Sequence, residues 1–401
     1  MNRNLIVFFI FVPSMFFITG CWDSRELNDR AIELAWGIDK AKNKNILIST
    51  QVLIPSKMGG GQGAGGGSGG SEGPPFFVKT GIGKDTLDAV AQMQTKLSRQ
   101  LFRGQRRVIV IGEPQARRGI KDILDTYTRD PNINLLTEIF IIKGGTAKNF
   151  LETSYQLENI PALGALKEYN HFGSLKEVGF LNFLLSATSE GSCPTLPAIA
   201  IESPSSSSNG GKQKGQSNAK GFRIAGAGIF NKDLKLIGFL NVEETRALRW
   251  ITGNLDKLTI TAFVPQGQGY LSLDVNKMSS KIQPIIQRNN IKILITLTGQ
   301  GMIKENNSSL DLTKIKNITL AQNAFDKRVE KFVEKSVTKI QKEYGTDVFG
   351  FGEVTKRKYL HQWKSLKKSW DKEFPEVEIS VKANMTVRRI GVTGPSILKR
   401  E

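Results

Sequence analysis

Val108-Ile109-Val110-Ile111-Gly112-Glu113-Pro114 is the stretch from which the N-terminal half can be read. Four consecutive β-branched residues with no polar alternation describe a short strand buried on both faces, and Gly112 and Pro114 close it. Upstream, Leu87, Val90, Met93 and Leu97 recur at helical spacing. Downstream, a second helix is expected from about Arg117 to Thr128. It stops before Asp130-Pro131, because a proline pushes the residue before it out of helical backbone. Thr137 to Ile142 is then a further strand, and Ala147 to Leu151 begins another helix. The half is α+β or α/β, and its strand order is not set by one sequence.

Working outward, Asn45 to Ile54 and Phe76-Phe77-Val78-Lys79 are strand-like and lie on either side of Gly59 to Gly73, which holds ten glycines in fifteen residues. That composition does not offset its ordering entropy, so a flexible insertion is expected, across which the two flanks can still pair. Ser203 to Asn218, with Ser205 to Ser208 and Gly210-Gly211, is expected to be a polar linker. Beyond it, strands are expected at Gly221 to Phe230, Leu236 to Leu240, Leu258 to Val264, Tyr270 to Val275 and Ile291 to Leu297. A long helix then carries Phe325, Val329, Phe332, Val333, Ile340 and Tyr344 on one stripe. Val377 to Val387 alternates apolar and polar residues, as a strand buried on one face does. The resulting fold class is α+β and multi-domain, with mixed sheets and packed helices in both halves. The expected divisions are a leader at 1–20, an N-terminal domain at 21–200, the linker at 203–218 and a C-terminal region at 221–401, in which a boundary near 276 would separate two subdomains.

The 401 residues carry 56 Lys and Arg against 37 Asp and Glu, a net charge of +19 that favours polyanions: nucleic acid in the cytoplasm, or anionic lipid and wall polymer after export. The N-terminus decides for export. Arg3 precedes an apolar run from Leu5 to Ile18 that is interrupted by Pro13 and is shorter than the ~20 residues a membrane-spanning helix needs. It ends at Ile18-Thr19-Gly20-Cys21, which resembles a lipobox, so Cys21 is the expected lipid-attachment residue. Two fatty chains such as palmitate, at ~0.8 kcal/mol per buried methylene, meet the requirement for stable anchoring. With Cys21 acylated, Cys193 has no disulfide partner and is expected as a buried thiol.

No catalytic, cofactor-binding or metal-binding residue is identified. His171 and His361 are the only histidines, and no Cys or His ligand spacing exists. Nucleophile-elbow, HExxH and Walker patterns are missing, and Gly226-Ala227-Gly228 lacks the strand, turn and helix of a dinucleotide site. Asp347-Val348-Phe349-Gly350-Phe351-Gly352 is expected as a structural turn in preference to a phosphate loop, and Glu243-Glu244 as a solvated turn or helix cap.

Cys21-Trp22-Asp23-Ser24-Arg25-Glu26-Leu27-Asn28, followed by Gly37-Ile38-Asp39, resembles the mature start of the Ger(x)C, or GerAC-type, spore germination lipoproteins. Val108 to Glu113 with Ala116, Gly119-Ile120 and Arg129-Asp130-Pro131 is similar to that family's N-terminal domain. Asp347 to Gly352 with Trp363, Leu366, Trp370 and Phe374-Pro375 is similar to its C-terminal domain. Gln105 stands where many members carry His, and the Gly59 to Gly73 insertion is unusually long. The resemblance implies a non-enzymatic subunit of a nutrient germinant receptor, lipid-anchored on the outer face of the spore inner membrane beside integral membrane A-type and B-type subunits. It implies no nucleic-acid partner, and it leaves open whether a small molecule binds directly. Two readings from other classes stay beside it: an exported spore-wall-directed enzyme, and a solute-binding lipoprotein.

Overall fold

The structure, a computed structural model, describes residues 29–58, 73–129, 134–153, 155, 157–172, 179–202, 221–287 and 290–391. In chain order the first part comprises β1 (Arg30–Lys40), β2 (Ile46–Leu53), β3 (Phe76–Gly83), α1 (Thr86–Gln94), β4 (Gln100–Phe102), β5 (Val108–Gly112), α2 (Glu113–Arg118), α3 (Lys121–Arg129) and β6 (Glu138–Lys143). There follow α4 (Ala147–Leu151), α5 (Pro161–His171), α6 (Phe180–Ala187), β7 (Thr195–Ile201), β8 (Phe222–Phe230), β9 (Leu236–Leu240) and α7 (Val242–Ile251). The last part holds β10 (Leu258–Val264), β11 (Gly269–Gln287), β12 (Asn290–Asn306), α8 (Ile315–Tyr344), α9 (Phe351–Lys358), α10 (Leu360–Leu366), α11 (Trp370–Glu373) and β13 (Glu378–Arg389). The expected α+β class, with mixed sheets and helices in both halves, is what these elements form.

A nine-stranded sheet runs β3-β2-β1-β5-β6-β7-β8-β9, with β4 also paired to β1. β5 lies inside it, parallel to β1 on one side and β6 on the other. Its unalternating sequence follows from that position. Val108 and Val110 enter one apolar cluster with Phe140, Phe150 and Tyr169, while Ile109 and Ile111 enter the opposite one with Met93, Ile123 and Phe180. β2 and β3 pair antiparallel from Ile46↔Gly83 to Leu53↔Phe76, as expected of the flanks of the glycine-rich stretch. Of that stretch, residues 59–72 lie outside the described residues.

The helix expected from Arg117 to Thr128 is two helices. Gly119, at φ +118°, ends α2 in a conformation that side-chain-bearing residues rarely adopt, and α3 restarts at Lys121. The division expected at 203–218 does not separate the sheets. Those residues lie outside the described ones, but β7 and β8 on either side pair antiparallel from Thr195↔Ile229 to Ile201↔Phe222, so β8 and β9 complete the first sheet. A boundary near 276 falls inside β11, which continues to Gln287 and pairs with β12 from Leu271↔Asn306 to Gln287↔Asn290. One apolar cluster runs unbroken from Val110 and Phe140 through Trp250 to Phe325 and Ile295.

The second sheet has the order β10-β11-β12-β13 and packs on α8. Phe325, Val329, Val333 and Ile340 of the expected stripe are buried there, and Tyr344 donates its hydroxyl to the carbonyl of Phe239 in β9 at 3.1 Å. α8 also closes the outer edge of β13. Gln322 Oε1, Asp326 Oδ1 and Glu330 Oε1, one turn apart, accept the N–H groups of Val387, Met385 and Ala383 at 3.0, 2.5 and 3.0 Å. An edge strand covered in this way cannot pair with another chain. Replacing Asp326 and Glu330 together by Ala should lower stability by about 2 kcal/mol, because partly buried N–H groups lose their acceptors. Exposed Glu334→Ala should change it little, and urea unfolding measures the difference.

Candidate functional site

Cys21, the leader at 1–20 and the block ending at Asn28 lie outside the described residues. The next motif, Gly37-Ile38-Asp39, sits in β1 and ends on a buried carboxylate. Asp39 Oδ1 accepts the N–H of Ala147 at 2.8 Å and Oδ2 that of Lys148 at 2.8 Å, which fixes the start of α4 over the end of β5. Burial raises the Asp39 pKa against the opposing pull of these two donors. Gly112 is glycine because a Cβ there would collide with Asp39 Oδ1. Two motifs far apart in sequence, at 37–39 and 108–113, are therefore parts of one contact.

The second motif, Asp347 to Gly352, is the structural turn expected of it. Asp347 Oδ1 accepts the N–H groups of Phe349 and Gly350 at 2.9 Å each, and Oδ2 accepts those of Gly352 at 2.8 Å and of Trp370 Nε1 at 3.1 Å. Gly350, at φ +76°, turns the chain into α9, and Phe349 stacks on Phe351 with ring centroids 5.0 Å apart. Phe351, Trp370 and Phe374 then pack behind the carboxylate.

This turn docks on the loop between α6 and β7. Cys193 N–H donates to the carbonyl of Asp347 at 2.7 Å, and Glu353 Oε1 accepts from Ser189 Oγ at 2.7 Å and from Gly191 N at 3.0 Å. Gly191 and Gly352 lie so close that a Cβ on either would come within 2.5 Å of the other's backbone. Lys356 and Lys367 reach Glu190 at 3.0 and 3.3 Å and hold its carboxyl down at about 2. Cys193 is the buried thiol expected, and burial pushes its pKa up to about 11, far from a thiolate nucleophile.

The remaining residues singled out in the sequence are dispersed. His171 ends α5 and His361 lies on α10, both exposed, and among the described residues no group of His, Cys, Asp and Glu is placed to hold a metal ion. Glu243-Glu244 is the cap expected. Asn241 Oδ1 accepts Glu244 N–H at 2.9 Å, and Glu244 Oε2 accepts Asn241 N–H at 2.9 Å. Glu243 and Glu244 also tie α7 to Arg328 and Lys339 of α8, at 2.9 and 2.7 Å.

Beside that tie opens a cleft of about 650 Å³ between the two sheets. Its walls are the ends of β6, β7 and β8, the first turn of α7, β10 and α8, and Lys143, Arg223, Arg246 and Arg328 converge on it. Sequence reasoning missed this site because its cations come from four elements and share no motif.

Burial lifts the Asp347 carboxyl to about 6 from an ordinary 3.8, against the donors that favour its charged form. The folded value lies above the unfolded one. The associated stability, on the order of 3 kcal/mol, is therefore fully present below the unfolded value and is lost as pH rises through about 6. Asp347→Asn should flatten stability between about pH 4 and 6, and at pH 7 should cost about 1–3 kcal/mol, since its amide NH2 meets N–H donors. Thermal unfolding at several pH values tests both, and parallel wild-type and variant profiles would refute the assignment.

Comparison with known proteins agrees with this arrangement. Residues 23–201 match the family model described as the spore germination protein N-terminal domain, and residues 225–391 match the one described as spore germination B3/GerAC like, C-terminal. The YfkR protein of Bacillus subtilis strain 168 is 30% identical over 375 residues, covering 94% of each chain. Spore germination protein KC of the same organism is 26% identical over 400 residues, covering 98% of this chain and 97% of that one. A crystal structure of the GerBC protein, 19% identical, superposes with a TM-score of 0.57 over 88% of this chain and 96% of that one, and so shares the fold. With both domains matched in order along one chain, this protein belongs to the GerAC-like family of spore germination proteins.

Proposed function

We propose that the chain is a non-enzymatic, lipid-anchored subunit of a spore germinant receptor. It is held on the outer face of the spore inner membrane through acylated Cys21, beside integral membrane A-type and B-type subunits. The observation that carries this reading is the family match in order from residue 23 to 391, directly after Ile18-Thr19-Gly20-Cys21. Among the described residues no helix is long and apolar enough to cross a membrane; the assignment of attachment to lipid rests on Ile18-Thr19-Gly20-Cys21. The +19 charge suits the surface of an anionic bilayer.

Support for a non-enzymatic role comes from how three of the buried acids are used. Asp39 and Asp347 are consumed by backbone N–H groups, and Glu33 by the Arg106 guanidinium, whose Nε donates at 2.7 Å. A general acid or base needs a carboxyl that can reach substrate, and these three face the interior.

Cys21→Ala in a strain without paralogous copies should move the protein from the spore membrane fraction to the soluble one. It should also slow the nutrient response to the rate of the deletion strain. Fractionation and the fall in optical density of germinating spores measure the two effects. A variant that stays membrane-bound and germinates normally would overturn the proposal.

A further inference from the structure

The cleft between the sheets holds more positive charge than its own acids answer. Its lining has four cations, Lys143, Arg223, Arg246 and Arg328, and one carboxylate, Glu243, which is engaged by Arg328 at 2.9 Å. Arg223 lies 3.4 Å from Glu202, outside the lining. Lys143 and Arg246 have no carboxylate within ion-pair distance among the described residues. Lys143 sits 5.2 Å from the Phe239 ring centroid and Arg246 5.0 Å from that of Phe172, contacts that position a cation without neutralising it. Arg246 Nε is buried and donates to no acceptor among the described residues.

The strand register builds a hollow between these charges. Lys143 pairs with Ala200 across β6 and β7, and Ala200 pairs with Arg223 across β7 and β8, so a methyl group stands between two long cationic side chains. Ala225, Ile260 and Phe332 extend the apolar surface on the adjoining walls. A volume of about 650 Å³ falls within the ~300–1,000 Å³ typical of small-molecule sites and is far larger than a bare ion fills. Apolar walls with a few convergent polar groups are the general form of such sites.

We propose that this cleft binds a small organic anion. Its acidic head, a carboxylate or a phosphate monoester, would lie against Lys143 and Arg246, and its apolar body over Ala200, Ile260 and Phe332. Charge-assisted hydrogen bonds from the two unanswered cations fix the head, and the hollow selects against ions without an apolar part. Because the walls come from both sheets, occupancy stabilises their relative placement by mass action. This binding role requires neither the lipid tether nor partner subunits, so it stands or falls separately from the receptor reading.

The full-length chain, purified in a nonionic detergent, is titrated calorimetrically with benzoate, phenyl phosphate, inorganic phosphate and benzamide. Expected is saturable one-site binding of benzoate or phenyl phosphate, with inorganic phosphate and benzamide at least about tenfold weaker. Lys143→Gln combined with Arg246→Gln removes the binding. Ala200→Phe, which fills the hollow and keeps every cation, removes it as well. If the double variant does not fold, as judged by its melting transition, Lys143→Gln alone is used and should weaken binding by about tenfold. No saturable heat with either aromatic anion, inorganic phosphate binding as tightly as phenyl phosphate, or Ala200→Phe binding like wild type would each overturn the proposal.

Discussion

A carboxylate survives in an apolar interior without a cation only when backbone N–H groups surround it. This fold is organised around two such carboxylates. Asp39 receives Ala147 and Lys148, and that contact fixes where α4 crosses the end of β5. Asp347 receives Phe349, Gly350, Gly352 and Trp370, which sets how the chain leaves α8 and how α9 and α11 return beneath it. Each demands a glycine beside it. Gly112 leaves room for the Asp39 oxygen, and Gly352 for the approach of Gly191 and of the Trp370 indole. The glycine-containing motifs at 108–113 and 347–352 are thus packing requirements of two buried charges, and neither needs a ligand to explain it.

The relative placement of the two sheets has a different origin. Glu243–Arg328 and Glu244–Lys339 join α7 to α8, yet both partners of the first pair and Lys339 of the second are substantially exposed, and surface pairs contribute little. Apolar packing carries the junction. Trp250 of α7 is fully buried with its ring 6.4 Å from that of Phe332 in α8, inside the cluster that joins both sheets. The cleft beside these residues is therefore bounded by a rigid core on its inner side.

Much of this was legible from sequence where one physical signal dominated. The apolar run at 108–111 reads as a buried strand because both faces of β5 meet core, and the stripe from Phe325 to Ile340 reads as a helix because α8 has one buried side. The pairing of β2 with β3 followed from the low cost of a long insertion between them. What failed lacked such a signal. Lys277, Ser279, Ser280 and Lys281 show no strand-like alternation, yet β11 runs through them because β12 supplies the matching edge. The polar stretch 203–218 does fall between the two family-matched segments, 23–201 and 225–391, but the strands flanking it hydrogen-bond to each other, a fact held in register and invisible in composition. Asp347 is marked in the sequence only by its neighbouring glycines and by the family-like block it opens, since nothing local marks a single acid as buried.

The cleft was the least legible feature, and its physics explains why. Lys143, Arg223, Arg246 and Arg328 are ordinary members of a chain with 56 basic residues, and each alone would be assigned to a solvated face. Their meaning depends on which of them find acids once the chain is folded. Where the turn at 347–352 meets the loop at 188–194, Lys356 and Lys367 both reach Glu190, so each cation there has an acidic partner within the protein. Around the cleft the same accounting leaves Lys143 and Arg246 over, beside an alanine that strand register places between Lys143 and Arg223. Tertiary structure alone separates cations that bind the protein to itself from those left to face an outside anion.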